Sequence, residues 1–353
     1  MPLLKRIVSH GHGLQLAIRA SLASIAAITA FGCVSLADFA TPEALQVIDA
    51  HNHLNHDMPA EELVKLMDRN GVRAMVLMAR YYGGRGAGYG RDEQAADYAA
   101  KYPGRFIPFV AGQRGKLGRR AHDVWEFPTM VGDIYLQEAE EKLKSGHYFG
   151  LGEFILYHHA YDLSSWGQRG GEVQLPVDSY LMSRIAELGA KYRVSVLFHA
   201  EAEPDIVPQV ETVLRANPRT SFIWAHNCGR GKASQTSALL ERYPNLMCDL
   251  GGMMVTPNNR GGYGRYWPIR TEWIHLVQKD GGALYPEMKA LFEHFPDRFM
   301  IGTDTAHTPA IRFYDERIHA FRQILSQLTP LKARMIAREN AERVFARAVS
   351  AHP

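Results

Sequence analysis

Eight short apolar runs alternate with longer amphipathic segments along this chain, and that alternation leaves few folds open. The runs are Gln46–His51, Ala74–Ala79, Phe106–Ala111, Gly150–Ile155, Val194–His199, Ser221–His226, Leu246–Leu250 and Phe299–Asp304. Most are nearly continuous in Val, Ile, Leu, Phe and Met, as strands buried on both faces should be. Helical patterns lie between them at Ala60–Asn70, Glu93–Lys101, Asp133–Lys144, Ser179–Tyr192, Ile206–Asn217 and Ser234–Tyr243. Regular βα alternation with eight runs predicts an α/β fold, a (β/α)8 barrel of the TIM type, over 44–350. Hydrophobic residues make up 46% and charged residues 22% of the chain, so that stretch has an ordinary globular composition. No linker-like shift and no internal repeat divides it. A helical segment, Leu331–Val349, is expected to cover the barrel's exterior or bottom.

Two stretches exceed a minimal barrel. Gly83–Gly90 is glycine-rich but lacks the Gly-Lys-Ser/Thr ending of a phosphate loop. Gly251–Pro268 reads as a loop over the barrel mouth, where long loops often carry function.

Residues 1–37 read as a leader, not as part of the fold. Lys5, Arg6 and Arg19 precede the apolar stretch Ala20–Val34, and Ser35-Leu36-Ala37 ends it with a small-x-small cleavage signal. A membrane span needs about twenty apolar residues, and this stretch is shorter, so no transmembrane domain is expected in the mature form. Thr29-Ala30-Phe31-Gly32-Cys33 also resembles a lipobox, which would make Cys33 a lipid anchor. The expectation is export: a periplasmic protein or a membrane-anchored lipoprotein. The net charge of +3 includes this basic leader, so nothing points to nucleic acid. Beyond Cys33 only Cys228 and Cys248 remain, at or just after buried strands. They are expected as core thiols, with a periplasmic disulfide as the alternative.

In a (β/α)8 barrel the C-terminal strand ends converge on one mouth. Alternate residues of an extended segment point the same way, so His51 and His53 can aim both imidazoles at one point. Run four ends beside Glu153, run five in His199, run six in His226 and run eight in Asp304. A lone strand-end histidine is usually a hydrogen-bonded polar residue, and Glu153 alone could cap a helix. Six metal-competent residues at matching strand ends instead predict a divalent metal site.

These residues resemble the amidohydrolase superfamily, in its amidohydrolase-2 branch of hydrolases and decarboxylases. The likeness covers about 46–347 and rests on Asp49-Ala50-His51-Asn52-His53, Gly152-Glu153, His199, His226-Asn227, Gly302-Thr303-Asp304 and Asn340-Ala341-Glu342-Arg343-Val344-Phe345. It implies that His51, His53, His199 and Asp304 hold one divalent metal, with His226 beside the reacting group. Glu153 stands where relatives carry a metal-bridging carboxylate or carbamylated lysine. One ion is therefore expected, zinc first, and a second if Glu153 bridges.

The chemistry expected is hydrolysis of a small carbonyl substrate (a lactone, amide or ester) by metal-activated water. Asp304 would accept and return the proton, and His226 would polarise the carbonyl. Arg80 and Arg114 follow runs two and three and could bind a substrate carboxylate, with a loop salt bridge as the alternative for each. His158, with Tyr157 and His159, is placed along the pocket; His56 and Asp57 are placed further out. Two other functions stay open: decarboxylation with the same ligands, and a non-catalytic metal- or ligand-binding lipoprotein. Retention of both His226 and Asp304 argues against the last.

Overall fold

The computed structural model describes residues 45–81, 90–159, 161–163, 168–170, 172–253, 276, 282–305 and 308–349. The leader with Cys33, the glycine-rich 83–89 and the mouth loop beyond Met253 lie outside them.

Each apolar run forms a strand, most of them shorter than the run; the strand of run two starts two residues earlier, at Val72, and that of run four matches its run. The strands are β1 (Val47–Asp49) with its continuation β2 (His53–Leu54), β3 (Val72–Ala79), β4 (Phe106–Pro108), β5 (Gly150–Ile155), β6 (Ser195–His199), β7 (Phe222–Trp224), β8 (Leu246–Asp249) and β9 (Phe299–Met300). All pair in parallel: β3 with β1, β2 and β4, and then β5 through β9 in chain order. Between β4 and β5, Val110 N donates to Gly150 O at 2.9 Å and Gly152 N to Val110 O at 3.0 Å. The ring closes where Ala50 N donates to Ile301 O at 2.9 Å and Asp304 N to His51 O at 2.8 Å. The barrel is a closed (β/α)8 barrel.

Helices Ala60–Arg69, Asp92–Lys101, Met130–Lys144, Tyr180–Tyr192, Val207–Ala216, Ala233–Arg242 and Pro286–His294 follow the strands. Two have side-chain caps that fix their starts. Thr129 Oγ1 accepts from Gly132 N (3.1 Å), and Ser179 Oγ accepts from Met182 N (3.2 Å). The Thr129 cap starts its helix at Met130, three residues before the sequence pattern suggested.

Alternate strand residues fill the barrel: Ile48, Ala74, Val76, Ile107, Leu197, Ile223, Met247 and Met300 form one buried cluster. Ala341, Phe345, Ala348 and Val349 join that cluster, so the C-terminal helical stretch closes the barrel's floor. Phe345 meets Phe109 edge-on, ring centres 5.6 Å apart. One insertion went unread in the sequence. After β5 the chain makes two antiparallel pairs, Tyr157–His158 with Val173–Gln174 and Tyr161–Leu163 with Gln168–Gly170. Among the described residues, no helix is long and apolar enough to cross a membrane.

Cys228 and Cys248 are joined in a disulfide, Cα–Cα 5.0 Å, which corrects the expectation of two core thiols. The reason lies in the backbone. Trp224 is the register partner of Cys248. A strand continuing past Trp224 would carry Cys228 roughly 13 Å further along. The chain instead turns left-handed at His226, with φ between 54° and 74° over residues 226–229, and brings Cys228 back beside Cys248.

Candidate metal centre

The six strand-end residues meet at one end of the barrel. His53 Nε2 lies 3.4 Å from Glu153 Oε2 and 3.3 Å from Asp304 Oδ1. His51 Nε2 lies 3.8 Å from Glu153 Oε1 and 3.7 Å from Asp304 Oδ1. On the other side of Glu153, its Oε1 is 3.2 Å from His199 Nδ1 and 3.5 Å from His226 Nε2. Glu153 thus belongs to two candidate ligand groups, one with His51 and His53 and one with His199 and His226.

Close backbone packing makes this convergence possible. A Cβ on Gly152 would lie 2.3 Å from Leu197 O, at φ 136°, and one on Gly302 would lie 2.4 Å from His51 Cβ. Only glycine fits at either place. Asp49 ties the end of run eight to β1. Its carboxylate accepts from Thr303 N (2.8 Å), Thr303 Oγ1 (2.7 Å) and Tyr314 OH (3.0 Å).

The outer nitrogens of three imidazoles face acceptors, which sets the tautomers. His51 Nδ1 donates to Asp249 Oδ2 (3.0 Å), His199 Nε2 to Glu201 Oε1 (3.0 Å) and His226 Nδ1 to Gly251 O (2.6 Å). In their neutral forms, His51 Nε2, His199 Nδ1 and His226 Nε2 therefore turn lone pairs inward. His226 Nε2 and His199 Nδ1 stand 3.0 Å apart, and two lone pairs at that distance repel unless a cation or proton intervenes. His51 Nε2 and both nitrogens of His53 are buried with no hydrogen-bond partner among the described residues. Tetrahedral zinc with ligands at ~2.0–2.2 Å holds its donor atoms about 3.4 Å apart. The donor set and its spacing fit a divalent cation.

Electrostatics give the same reading. Burial alone would raise Glu153, yet the His51 charge and the facing His199 and His226 imidazoles, donors to it once protonated, hold it well below the ordinary carboxylate range. Asp304 is lowered likewise, against burial, by His53, His51 and His226. Burial pulls His51 down, but Asp249 and Glu153 outweigh it and raise the imidazole well above its usual value. The centre demands positive charge and draws protons when nothing else supplies it. Asp304, at 14% exposure, is the member most open to solvent; Glu153 is at 3% and His51 at 0%.

Other predicted residues fall at graded distances from this centre. Arg80 Nε donates to Gln113 Oε1 (3.3 Å), and Gln113 Nε2 donates to Glu153 Oε2 (2.7 Å), so Arg80 is one residue removed. The His158 ring centre is 4.8 Å from that of His199. Burial, then the neighbouring His199, hold His158 well below the usual imidazole range, so it is neutral. His159 Nε2 meets Glu203 Oε1 at 2.9 Å. His56 and Asp57 are exposed and face each other at 3.8 Å.

Arg114 is not brought to the centre; its guanidinium takes the salt-bridge alternative. It donates to Ala111 O (3.0 Å), Asp92 Oδ2 (2.8 Å) and Glu138 Oε2 (2.7 Å) and stacks over Tyr81 at 4.4 Å. Lys142 Nζ reaches the same Asp92 oxygen at 2.9 Å.

Sequence reasoning missed Asp249, Glu201, Gln113 and Arg230. Asp249 ends β8 at a matching strand-end position, and the rule that found the histidines would have found it. Arg230, which pairs with Glu201, sits in the left-handed turn. Each L-residue in that conformation costs about 1–2 kcal/mol, and His226, Asn227, Cys228 and Arg230 all adopt it. Such a turn persists only where its surroundings hold it.

A closed parallel barrel with a buried histidine–carboxylate centre at its strand ends defines a metal-dependent barrel enzyme. The family model described as Amidohydrolase matches residues 48–347, and the chain belongs to that family. No curated protein matches the sequence. Among solved structures, the chain resembles a TIM-barrel protein from Bordetella bronchiseptica at 16% identity, covering 86% of this chain and 99% of that one, TM-score 0.55. It also resembles a protein titled a putative amidohydrolase from Staphylococcus aureus, at 14% identity, with 85% and 99% covered and TM-score 0.51. A third, titled a putative 2-pyrone-4,6-dicarboxylic acid hydrolase from Pseudomonas putida, matches at 14% identity, 86% and 98% coverage and TM-score 0.50. At these identities the likeness is one of fold.

Proposed function

We propose that this amidohydrolase-family protein is an exported hydrolase of small carbonyl substrates such as lactones, amides or esters. One observation carries the reading: the inner nitrogens of His51, His53, His199 and His226 share one buried space with the carboxylates of Glu153 and Asp304. His51, His53, His199 and Asp304 would hold one divalent cation, zinc first, with Glu153 beside it. When bound, the cation supplies Lewis acidity and makes water a nucleophile near neutral pH.

The residues divide the remaining work. Asp304 is ionised and open to the mouth, so its carboxylate takes the water's proton and returns it to the leaving group. His226 holds its Nδ1 proton on Gly251 O, which leaves Nε2 to accept a proton or to serve as a ligand. Polarising the substrate carbonyl would require His226 as imidazolium, a form that its burial and the nearby Arg230 charge disfavour by lowering its pKa. Gln113 keeps Glu153 aimed inward. Arg80 and His158 are the substrate contacts we favour, because both lie one step from the centre.

Export belongs to the same proposal. The basic-apolar-small order of residues 1–37 supports it, and so does the Cys228–Cys248 disulfide, since such bonds persist in oxidising compartments. Elemental analysis followed by a substrate screen in isotopically labelled water tests the enzyme reading. Water oxygen found in the organic product supports hydrolysis; carbon dioxide release with no labelled oxygen in the organic product would replace it with decarboxylation. An intact Met1 on protein purified from its native host would overturn export.

A further inference from the structure

The Cys228–Cys248 disulfide sits where three anchoring groups of the centre meet. Cys228 is the middle residue of the left-handed turn 226–230. That turn carries His226 at one end and Arg230, the partner of Glu201, at the other. Cys248 precedes Asp249, whose carboxylate takes the His51 Nδ1 proton at 3.0 Å and accepts from His226 N at 3.3 Å. One covalent bond therefore joins the segment that orients His226 and His199 to the strand that orients His51.

The turn needs such a tie. Only Gly229 of its five residues is free of the left-handed penalty. A Cβ on Gly229 would meet Ala200 O at 2.4 Å, so the turn also packs tightly against the end of β6. Hydrogen bonds help: Ala202 N donates to Gly229 O at 2.8 Å, and the Asn227 side-chain Nδ2 donates to Gly231 O at 3.2 Å. The disulfide is the covalent tie from the turn to β8, beside the hydrogen bonds of His226 to Asp249 and Gly251. Without it, residues 226–228 can relax toward ordinary φ, which would swing His226 Nε2 away from Glu153.

We propose that Cys228 and Cys248 are positioning residues: their bond holds the left-handed turn that aims the inner nitrogens of His226 and His199, and so sets the centre's affinity for its cation. The proposal rests on the metal reading above. It predicts that the backbone preference of residue 228 matters, because glycine enters the left-handed region without penalty and alanine does not.

The test compares oxidised wild type, Cys228→Ala/Cys248→Ala and Cys228→Gly/Cys248→Ala. Each metal-free protein is titrated with zinc against a chelating indicator, and folding is followed by far-ultraviolet circular dichroism. We expect the alanine pair to bind zinc about tenfold or more weakly and the glycine pair to recover to within about threefold of wild type. Equal zinc affinity in all three, with only the melting temperature lowered, would reduce the disulfide to a staple of the fold. Equal weakening in both variants would also overturn the proposal, because the cross-link and not the turn's conformation would then matter. If the alanine pair does not fold, the glycine pair decides alone by the same threefold and tenfold limits. Oxidised wild type that binds no zinc defeats the metal reading, and this inference with it.

Discussion

The Asp92 cluster and the histidine–carboxylate centre are both buried and both rich in acid groups. Around Asp92, the cations come from the protein. Arg114 and Lys142 share one oxygen of Asp92 and reach Glu138, while Ala111 N occupies the other Asp92 oxygen at 3.1 Å. Around Glu153 the neighbours are imidazoles, whose charge depends on protons, and the neutral amide of Gln113. A cluster closed by arginine and lysine is finished when the chain folds. One whose carboxylate meets imidazoles and an amide still has a place for a cation.

The largest expected effect is on the open centre. His51→Ala, His53→Ala or His199→Ala should each lower metal occupancy sharply and bring turnover to background, since each removes one of about four donors. Full occupancy in all three variants, by elemental analysis, would break the contrast. Arg114→Ala should do the reverse. It leaves Asp92 short of a buried partner and should cost about 3–5 kcal/mol of stability by chemical denaturation, with metal content unchanged. Lost metal at retained stability would move Arg114 back to the mouth.

A third prediction uses pH. Burial raises Asp49 to about 6, despite hydrogen bonds from Thr303 and Tyr314. A carboxyl raised on folding binds more protons folded than unfolded, so its contribution is fully present below the unfolded pKa of 3.8 and is lost as pH rises through about 6. Relative to Asp49→Asn, the wild type should therefore lose up to about 3 kcal/mol between pH 4 and pH 7. A pH-independent difference between the two proteins would show that Asp49 keeps an ordinary pKa.

The smallest effect sharpens the count of ions. Glu153→Gln should keep near-stoichiometric binding of a single metal while slowing turnover, because the set without Glu153 is complete for one. Two ions in the wild type and one or none in the variant would make Glu153 a bridge.

What could be read in the sequence follows the strands. His51, His53, His199, His226 and Asp304 were legible because period-two geometry and the barrel's handed closure send strand ends to one mouth. Arg114 misled because position after a strand fixes where a residue starts and not where a long side chain goes. Its destination depends on Asp92 and Glu138, contributed by other segments. The disulfide was illegible for a different reason. Nothing local in His226-Asn227-Cys228-Gly229-Arg230 announces four non-glycine residues at positive φ, because only tertiary contacts hold them there.

The closure of the ring has a consequence for how the protein is made. The first strand meets its last neighbour through the Ala50–Ile301, His51–Asp304 and Asp49–Thr303 contacts, and the floor waits for Phe345 and Val349. A ribosome must therefore deliver nearly the whole barrel before the earliest strand, already paired with β3, gains its second neighbour. If the chain is exported as proposed, this delay would keep the emerging polypeptide threadable until its far end has been translated.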